Sequence, residues 1–301
     1  MKYAIISDTH GNAPALKAVL ADAQEQKVDK FLLLGDYASN FPWGNEVVEI
    51  IRNLPNAIVI KGNGEDYLAG TQHSHKQFAP VNWAYNSLSP QNHEYLKSLP
   101  ATLTEGDIYL SHSHHVFYYR TPPVDLFSSD EYREMMNTSP FSREEYFSRA
   151  TAAILARPDA VADIKALPRG VHLFGHNHLQ FHMEYEGRIF INPGSCGEPL
   201  DWNTNAPYTI LEYKNGVPQI EERRVKYDLQ ATAQKLRESE FTTIAPEWSR
   251  LMELELFTGK DYFMPFVVHI VETAKAMGET GYPVSDAAFD AACATWNVNN
   301  Y

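Results

Sequence analysis

The chain has 301 residues and a formal net charge of −13 at pH 7, with 38 acidic side chains against 25 Lys and Arg. Binding to DNA or RNA polymers depends on Lys and Arg displacing counterions, so this charge excludes nucleic-acid polymers as expected partners and leaves small phosphorylated metabolites. The composition excludes whole-chain disorder and coiled coil. The sequence has no apolar run near the ~18 residues of a membrane span and no pattern of a signal peptide. We therefore expect a cytoplasmic protein with no membrane partner.

The first sixty residues alternate short apolar runs with amphipathic segments. Strands are predicted at residues 3–6, 31–34 and 57–60, because continuous apolar runs of this length suit strands that are buried on both faces. Between them, apolar residues recur at three- and four-residue steps over 16–23 and 47–54 and predict two helices. This order predicts a βαβαβ run with a parallel sheet.

Each of these predicted strands ends in a polar cluster. Asp8 and His10 follow the first strand, Asp36 follows the second, and Asn63 follows the third. The carboxyl ends of parallel strands lie at one edge of a sheet, where the functional crevice of such proteins is found. We therefore expect these four side chains to converge.

Another strand is predicted at 108–111, and it runs into His112. Residues from about 113 to 170 are interpreted as an insertion with a helix at about 142–157. A strand at 171–174 then returns to the sheet and leads into the next polar cluster.

That cluster contains His176 and His178, and meander-like strands cover about 181–227 after it. Residues 1–227 are therefore predicted to form one domain. The strand signal is lost over 228–301, which we interpret as a helical appendage. Its apolar stripe from Phe266 to Met277 predicts packing within the appendage or a homo-oligomer contact.

The polar clusters together supply the ligand types that a hard or borderline divalent metal prefers. The seven candidate ligands are Asp8, His10, Asp36, Asn63, His112, His176 and His178. One metal needs about four ligands, so two metals that share a carboxylate require a set of this size. A dinuclear centre of this kind serves displacement at phosphorus.

The motifs in this order resemble those of the calcineurin-like metallophosphoesterases over about residues 1–227. They are Asp8-x-His10, Gly35-Asp36, Gly62-Asn63, a strand ending in His112, Gly175-His176-Asn177-His178, and Asn192-Pro193-Gly194-Ser195, which we expect to be a supporting turn. The chain is most similar to the small bacterial phosphodiesterase branch, and there to enzymes that cleave diadenosine tetraphosphate asymmetrically. The resemblance implies a four-layer α/β/β/α sandwich of two mixed sheets with a helical C-terminal appendage.

The resemblance also implies roles for the seven residues. One metal would be held by Asp8, His10 and His178, the other by Asn63, His112 and His176, and Asp36 would bridge them. The two divalent ions could be Mn, Fe, Zn, Co or Ni, since this ligand set accommodates all of them. A metal-bridging hydroxide would attack the phosphorus of a small phosphorylated substrate, with Asp36, Asn63 and His112 as the predicted catalytic residues.

Gly64 departs from the family pattern, because many members have a histidine directly after the asparagine. That histidine is thought to stabilise the transition state or protonate the leaving group, and general-acid assistance is worth about 10²–10⁴-fold. A phosphoanhydride needs less assistance than a basic alkoxide. We therefore expect a preference for nucleotide polyphosphates or activated aryl diesters over alkyl monoesters. Candidates to replace the histidine are His73, Asp66, His114 and His115.

Four further residues are predicted to contact the substrate: His114, His115, Tyr118 and Arg120. Tyr118 and Arg120 could stack on an adenine through their aromatic and guanidinium faces. Packing of the insertion onto the body is the alternative for these two residues, and it is favoured on general grounds.

Two other functions compete with a two-metal phosphoesterase. A catalytically silent scaffold on the same fold is one, but a scaffold should have lost several of the metal ligands, and all seven are present here. A protein Ser/Thr phosphatase is the other, and Gly64 together with the short first half of the chain argues against it.

Overall fold

The computed structural model describes residues 1–70, 73–114, 116 and 143–298 and, within 143–150, the side chain of Ser148 alone. One five-stranded sheet has the order β10-β9-β1-β2-β3. Its strands are β1 (Lys2–Ile6), β2 (Lys30–Leu33), β3 (Ala57–Val59), β9 (Ala206–Lys214) and β10 (Val217–Val225). β1, β2 and β3 are parallel, as the βαβαβ pattern predicts, and β9 and β10 add to β1 in antiparallel fashion.

The other five-stranded sheet has the order β4-β5-β6-β8-β7. Its strands are β4 (Thr102–Glu105), β5 (Ile108–Ser111), β6 (Gly170–Leu173), β7 (Gln180–Tyr185) and β8 (Arg188–Pro193). β5, β6 and β8 are parallel, and the two edge strands β4 and β7 are antiparallel to their neighbours. Both sheets are therefore mixed.

Helices cover the outer faces of the sheets and form the C-terminal part of the chain. They are α1 (Ala13–Glu25), α2 (Gly44–Arg52), α3 (Asn63–Ala69), α4 (Ala79–Ser87), α5 (Pro90–Ser98), α6 (Arg143–Ala156), α7 (Pro158–Ala166), α8 (Leu229–Glu238), α9 (Glu240–Ile244), α10 (Pro246–Thr258), α11 (Phe263–Ala276) and α12 (Asp286–Thr295). In the described part of the chain, no helix has both the length and the apolar character to cross a membrane.

The layering follows from the alternation of side chains along the strands. In β1, Ala4 and Ile6 face a core shared with the helices α1 and α2, whereas Ile5 faces a second core between the two sheets. A third core lies on the outer face of the other sheet, where Ile154 and Ile164 of α6 and α7 contribute to it. The protein is thus the predicted α/β/β/α sandwich.

The C-terminal helices have a core of their own, which includes Trp248, Phe266 and Phe289. Phe41, from the loop after β2, is buried in that core, and its backbone N–H donates to the carbonyl of His10 at 2.8 Å. The appendage thereby holds a loop that belongs to the sandwich. Strand β10 ends at Val225 and α8 begins at Leu229, and the division into two domains at 227 stays a prediction.

Two details differ from the sequence-based expectation. The strands predicted over 181–227 do not form one meander, because β7 and β8 belong to one sheet and β9 and β10 to the other. The short edge strand β4 was not predicted, since its exposed residues carry no apolar run. The helix expected at 142–157 is α6, and its N-terminal residue Ser142 lies outside the described residues.

Candidate metal centre

Five of the seven predicted ligands have a positive backbone φ. The angles are 51° for Asp8, 45° for His10, 57° for Asp36, 72° for His176 and 61° for His178. This region is uncommon for residues other than glycine, although Asp, Asn and His are enriched in it, and it costs roughly 1–2 kcal/mol per residue. Such conformations cluster at functional sites, where the surrounding structure imposes them.

Tight turns at the strand ends impose them here. Asp8 and Asp36 follow β1 and β2, and Asn63 opens α3 after β3, so these three come from one sheet. His112 follows β5, and His176 with its neighbour His178 follows β6 in the other sheet. The centre therefore lies where the carboxyl ends of the parallel strands of both sheets meet, and the structure brings all seven side chains together there.

Asp8, His10 and His178 form the first ligand group, with one potential ligand atom from each within 4.8 Å of the others. The Nε2 atoms of the two histidines are 2.9 Å apart. Asp8 Oδ1 lies 3.8 Å from His10 Nε2 and 3.6 Å from His178 Nε2. His178 Nδ1 donates to the carbonyl of Glu198 at 3.0 Å, which leaves a lone pair on Nε2 of the neutral ring.

The second ligand group consists of Asp36, His112 and His176. One potential ligand atom from each of these residues again lies within 4.8 Å of the others. His112 Nδ1 donates to the carbonyl of Leu34 at 2.8 Å, so its Nε2 carries the lone pair of the neutral ring. Asn63 Oδ1 lies 3.1 Å from His112 Nε2 and 2.8 Å from His176 Nδ1. The amide oxygen of Asn63 therefore belongs with this group.

Asp36 stands between the two groups. Its Oδ2 is 3.4 Å from His112 Nε2 of the second group and 3.9 Å from His10 Nε2 of the first. The N–H of Gly64 donates to the other carboxylate oxygen at 2.7 Å and fixes its orientation. This position allows one carboxylate to serve both groups.

The donor set fits divalent cations. Two ligands that each lie about 2.1 Å from one ion, at right angles, are about 3.0 Å apart. The separations between the histidine nitrogens and the Asn63 oxygen are 2.8–3.1 Å. In the tautomers that place no proton on these nitrogens, the imidazole nitrogens and the amide oxygen all offer lone pairs, and a cation takes the place of the proton that otherwise joins them.

The buried carboxylates and His112 perturb one another. Burial, and after it the charge of Asp36, raises the pKa of Asp8 to about 7 against the opposing effect of His112. Burial also disfavours the charged form of His112, but the charges of Asp36 and Asp8 outweigh it and raise the pKa of His112 to about 10, so a metal ion at Nε2 would have to displace that proton. Burial opposes ionisation of Asp36, yet His112 and His10 hold its pKa well below the usual range. Asp36 is thus the carboxylate that the site keeps ionised.

Glu65 supports the centre and was missed by the sequence reasoning. It is only 2% exposed, and its carboxylate accepts hydrogen bonds from the backbone N–H groups of Asp36 (2.9 Å), Tyr37 (2.8 Å) and Gly62 (2.7 Å). These bonds join the turn after β2 to the turn after β3. The available signal was its position three residues after Gly62 at the start of a helix, where an acidic residue commonly binds back to the preceding turn.

The segment from Asn192 to Ser195 also supports the site. The amide of Asn192 donates to the carbonyl of Gly175 at 2.9 Å and to the side chain of Asn177 at 2.7 Å. Ser195 Oγ donates to the carbonyl of Asp8 at 2.6 Å. This segment holds the ligand-bearing turns after β1 and β6 in place, which is the supporting role expected from its sequence.

The predicted substrate contacts have different positions. His114 is 8% exposed, and its ring packs 5.5 Å from Phe190 and 5.9 Å from Phe174, measured between centroids. His73, one of the candidate substitutes for the absent histidine, stacks on Phe78 at 4.2 Å. His115, Tyr118 and Arg120 lie outside the described residues. The roles of these residues stay predictions.

The chain is similar to known proteins in both sequence and fold. Residues 1–216 match the family model described as the calcineurin-like phosphoesterase superfamily domain. An uncharacterized protein of Methanocaldococcus jannaschii is 29% identical in an alignment of 277 residues that covers 85% of this chain and 98% of that protein. The crystal structure of a metallophosphoesterase from Sphaerobacter thermophilus has 24% identity and a TM-score of 0.63 over 86% of this chain and 100% of its own.

A hypothetical protein from Pyrococcus horikoshii is a further structural match. It has 19% identity and a TM-score of 0.61, over 86% of this chain and 99% of its own. At these identities the two solved structures show a shared fold.

Proposed function

The chain belongs to the calcineurin-like phosphoesterase superfamily, and on that premise we propose that it is a dinuclear phosphodiesterase or nucleotide polyphosphate hydrolase. Members of this family are metal-dependent phosphoesterases, so the protein is a hydrolase. Its proposed reaction is hydrolysis of a phosphodiester or phosphoanhydride in a small nucleotide-type substrate, with diadenosine tetraphosphate as the first compound to test.

The observation that carries the proposal is the pair of ligand groups with Asp36 between them. Two divalent ions held there, drawn from Mn, Fe, Zn, Co and Ni, would supply a nucleophile derived from water at neutral pH and positive charge for the phosphoryl oxygens. That local charge would attract an anionic substrate to a protein whose net charge is −13.

The residues of the chain preorganise this chemistry. The carbonyls of Leu34 and Glu198 each accept a hydrogen bond from Nδ1 of one histidine, so that the neutral rings of His112 and His178 present the lone pair of Nε2 to a metal ion. Glu65 accepts from the backbone N–H groups of Asp36 and Tyr37 and from that of Gly62, which directly precedes Asn63. The side chains of the first group are at most 8% exposed, which limits competition by bulk water.

Gly64 bears on the leaving group. With no side chain directly after Asn63, this position supplies no general acid, and a phosphoanhydride needs a general acid less than an alkyl ester does. The local packing leaves little room for a side chain at this position, because a Cβ placed on Gly64 would lie 2.9 Å from Asp36 Oδ1. This observation supports a substrate with a stabilised leaving group.

Tyr67 supports a substrate that carries an aromatic base. It lies four residues after Asn63 in α3, so the two residues share one face of the helix, and Tyr67 as a whole is 56% exposed. Helical side chains lean toward the N-terminus of their helix, which directs this ring toward the end that bears Asn63. An exposed aromatic ring beside a phosphate-binding centre suits stacking on a nucleobase.

Asp36→Asn tests the centre. Because the substitution removes the charge that both ligand groups share, we expect it to abolish two-ion binding and turnover together. Metal content and turnover are measured on the same preparation. Full turnover with two ions still bound would contradict the proposal.

A substrate panel tests the reaction. Phosphorylated substrates are assayed with Mn, Fe, Co, Zn and Mg, and the products are separated chromatographically to identify the bond that is cleaved. We expect diadenosine tetraphosphate and aryl diesters to be hydrolysed faster than alkyl monoesters under matched metal conditions. The reverse order would refute the inference from Gly64.

A further inference from the structure

Glu198 is a buried carboxylate beside the first ligand group. The residue is 5% exposed, and its Oε2 lies 3.9 Å from His10 Nε2 and 3.7 Å from His178 Nδ1. Its backbone N–H donates to Ser195 Oγ at 2.9 Å, and that hydroxyl donates to the carbonyl of Asp8 at 2.6 Å. The loop that carries Glu198 is therefore fixed to the turn that carries Asp8.

Two different groups of Glu198 act on this site. Its carbonyl oxygen accepts a hydrogen bond from Nδ1 of His178 at 3.0 Å, which orients that imidazole. Its carboxylate accepts a hydrogen bond from the Asn40 side chain at 2.8 Å. Asn40 lies on the loop after β2, which also contributes Ser39, whose Oγ is 3.0 Å from His10 Nδ1. The carboxylate is thus held beside both histidines rather than directed into solvent.

We propose that Glu198 is a further acidic member of the ion site formed by Asp8, His10 and His178, acting as a positioning and charge-supplying residue. Its Oε2 lies 3.7 Å from Nδ1 of His178, the ring nitrogen opposite the one that faces Asp8 and His10, so the carboxylate acts on the ion from behind this imidazole. Burial of a carboxylate is costly unless positive charge lies close by, and a divalent ion at this group provides it.

This inference rests on the proposed dinuclear centre and adds a prediction about unequal charge. Besides Asp36, the first ligand group has one carboxylate in Asp8, and Glu198 adds a second negative charge to the same ion. Partners behind the direct ligands typically change metal affinity by 10–100-fold. We therefore expect the first ion site to depend on Glu198 and the second ion site to be insensitive to it.

Glu198→Gln is the informative variant, because it keeps the backbone carbonyl that binds His178 and an oxygen that can accept from Asn40. Metal-free protein is titrated with Mn²⁺, and binding is followed by calorimetry and by electron paramagnetic resonance of the free ion. We expect one of two sites to weaken by about 10–100-fold. Glu184→Gln, an exposed carboxylate on β7, is the matched control for loss of one charge, and we expect it to bind like the unaltered protein.

Glu198→Asp separates charge from size and provides a second test if E198Q folds poorly. It keeps the negative charge, so we expect weaker loss of Mn²⁺ affinity than in E198Q. The inference would be overturned if E198Q and the unaltered protein bound Mn²⁺ with equal affinity at both sites, within about threefold. It would also be overturned if E198Q and E198D lost Mn²⁺ affinity equally. The unaltered protein is titrated first: failure to bind two ions refutes the dinuclear centre itself, a result distinct from equal binding by both proteins.

Discussion

The Nε2 atoms of His10 and His178 face each other at 2.9 Å. His178 donates from Nδ1 to the Glu198 carbonyl, so its neutral ring presents a lone pair to His10. In the metal-free site a proton on His10 Nε2 can join the two nitrogens, and a divalent cation would take the place of that proton.

The thermal stability of the protein should therefore depend on divalent metal. A ligand that binds the native state alone stabilises it by about 2.7 kcal/mol at a free concentration of 100 times Kd. We expect a chelator to lower the unfolding midpoint and Mn²⁺ to restore it, as followed by differential scanning calorimetry. His178→Ala should reduce the response to Mn²⁺. A midpoint that is indifferent to both additions would contradict the assignment of this ligand group.

Glu65→Ala should destabilise the fold and the metal centre together. The substitution leaves the buried N–H groups of Asp36, Tyr37 and Gly62 without their acceptor, and each such loss costs about 1–3 kcal/mol. We expect a loss of about 3 kcal/mol or more in the free energy of unfolding, measured in urea, with weaker Mn²⁺ binding. Asp66→Ala is the control, because Asp66 is the next residue in the sequence and its exposed carboxylate pairs only with Lys61 among the ion pairs of the described residues. Similar stabilities for the two variants would count against the bracing role of Glu65.

Gly64→Ala should separate metal binding from stability. The new Cβ would lie 2.9 Å from Asp36 Oδ1, so the Asp36 carboxylate must move, whereas alanine favours the helix by up to about 1 kcal/mol. We expect Mn²⁺ affinity and kcat to fall by roughly tenfold while the unfolding midpoint changes little. In Gly70→Ala, at the other end of α3, the nearest contact of the Cβ is 3.4 Å away and no such loss is expected. Unchanged Mn²⁺ affinity in G64A would show that Asp36 has room to shift.

The strand pattern and the convergence of the seven candidate ligands could be predicted from local sequence: β1 and β2 are apolar runs, and Asp8 and Asp36 follow their ends. Two other contacts could not. The hydrogen bonds from the backbone of Asp36 and Tyr37 to Glu65, and the approach of Glu198 to His178, join residues that are 20 or more positions apart in the sequence. The assignment of β9 to the sheet of β1 depends on pairing over about 200 residues, which no local pattern encodes.

Asp22→Asn should remove a pH-dependent part of the stability, away from the metal centre. Asp22 in α1 accepts from Arg223 of β10 through Nε at 2.7 Å and Nη2 at 3.0 Å. These hydrogen bonds lower the pKa of Asp22, and their effect is larger than the opposing effect of burial. The unfolded pKa is about 3.9, so the contribution is present above that pH and is lost as the pH falls through the lower folded value.

At pH 7 we expect D22N to be less stable by about 1.5–3 kcal/mol, the usual range for hydrogen bonds to charged groups. The difference from the unaltered protein should shrink between pH 5 and pH 3 in urea unfolding. Glu46→Gln removes an exposed carboxylate paired with Lys17 and should change stability by less than about 1 kcal/mol at any pH. A difference for D22N that persists unchanged at pH 3 would mean that the ion pair is not its cause.

Tyr67→Ala tests whether the substrate carries a nucleobase. Base stacking on an aromatic side chain is worth about 1–3 kcal/mol, so removal of the ring should raise KM for diadenosine tetraphosphate by roughly 5–150-fold with a smaller effect on kcat. Hydrolysis of inorganic tripolyphosphate, which has no base, should be unaffected by the substitution. Val217→Ala is a suitable control, because Val217 is 55% exposed and lies in the hairpin at the opposite edge of the sheet. An equal loss on both substrates would assign Tyr67 to the shape of α3 and the position of Asn63 rather than to recognition of the base.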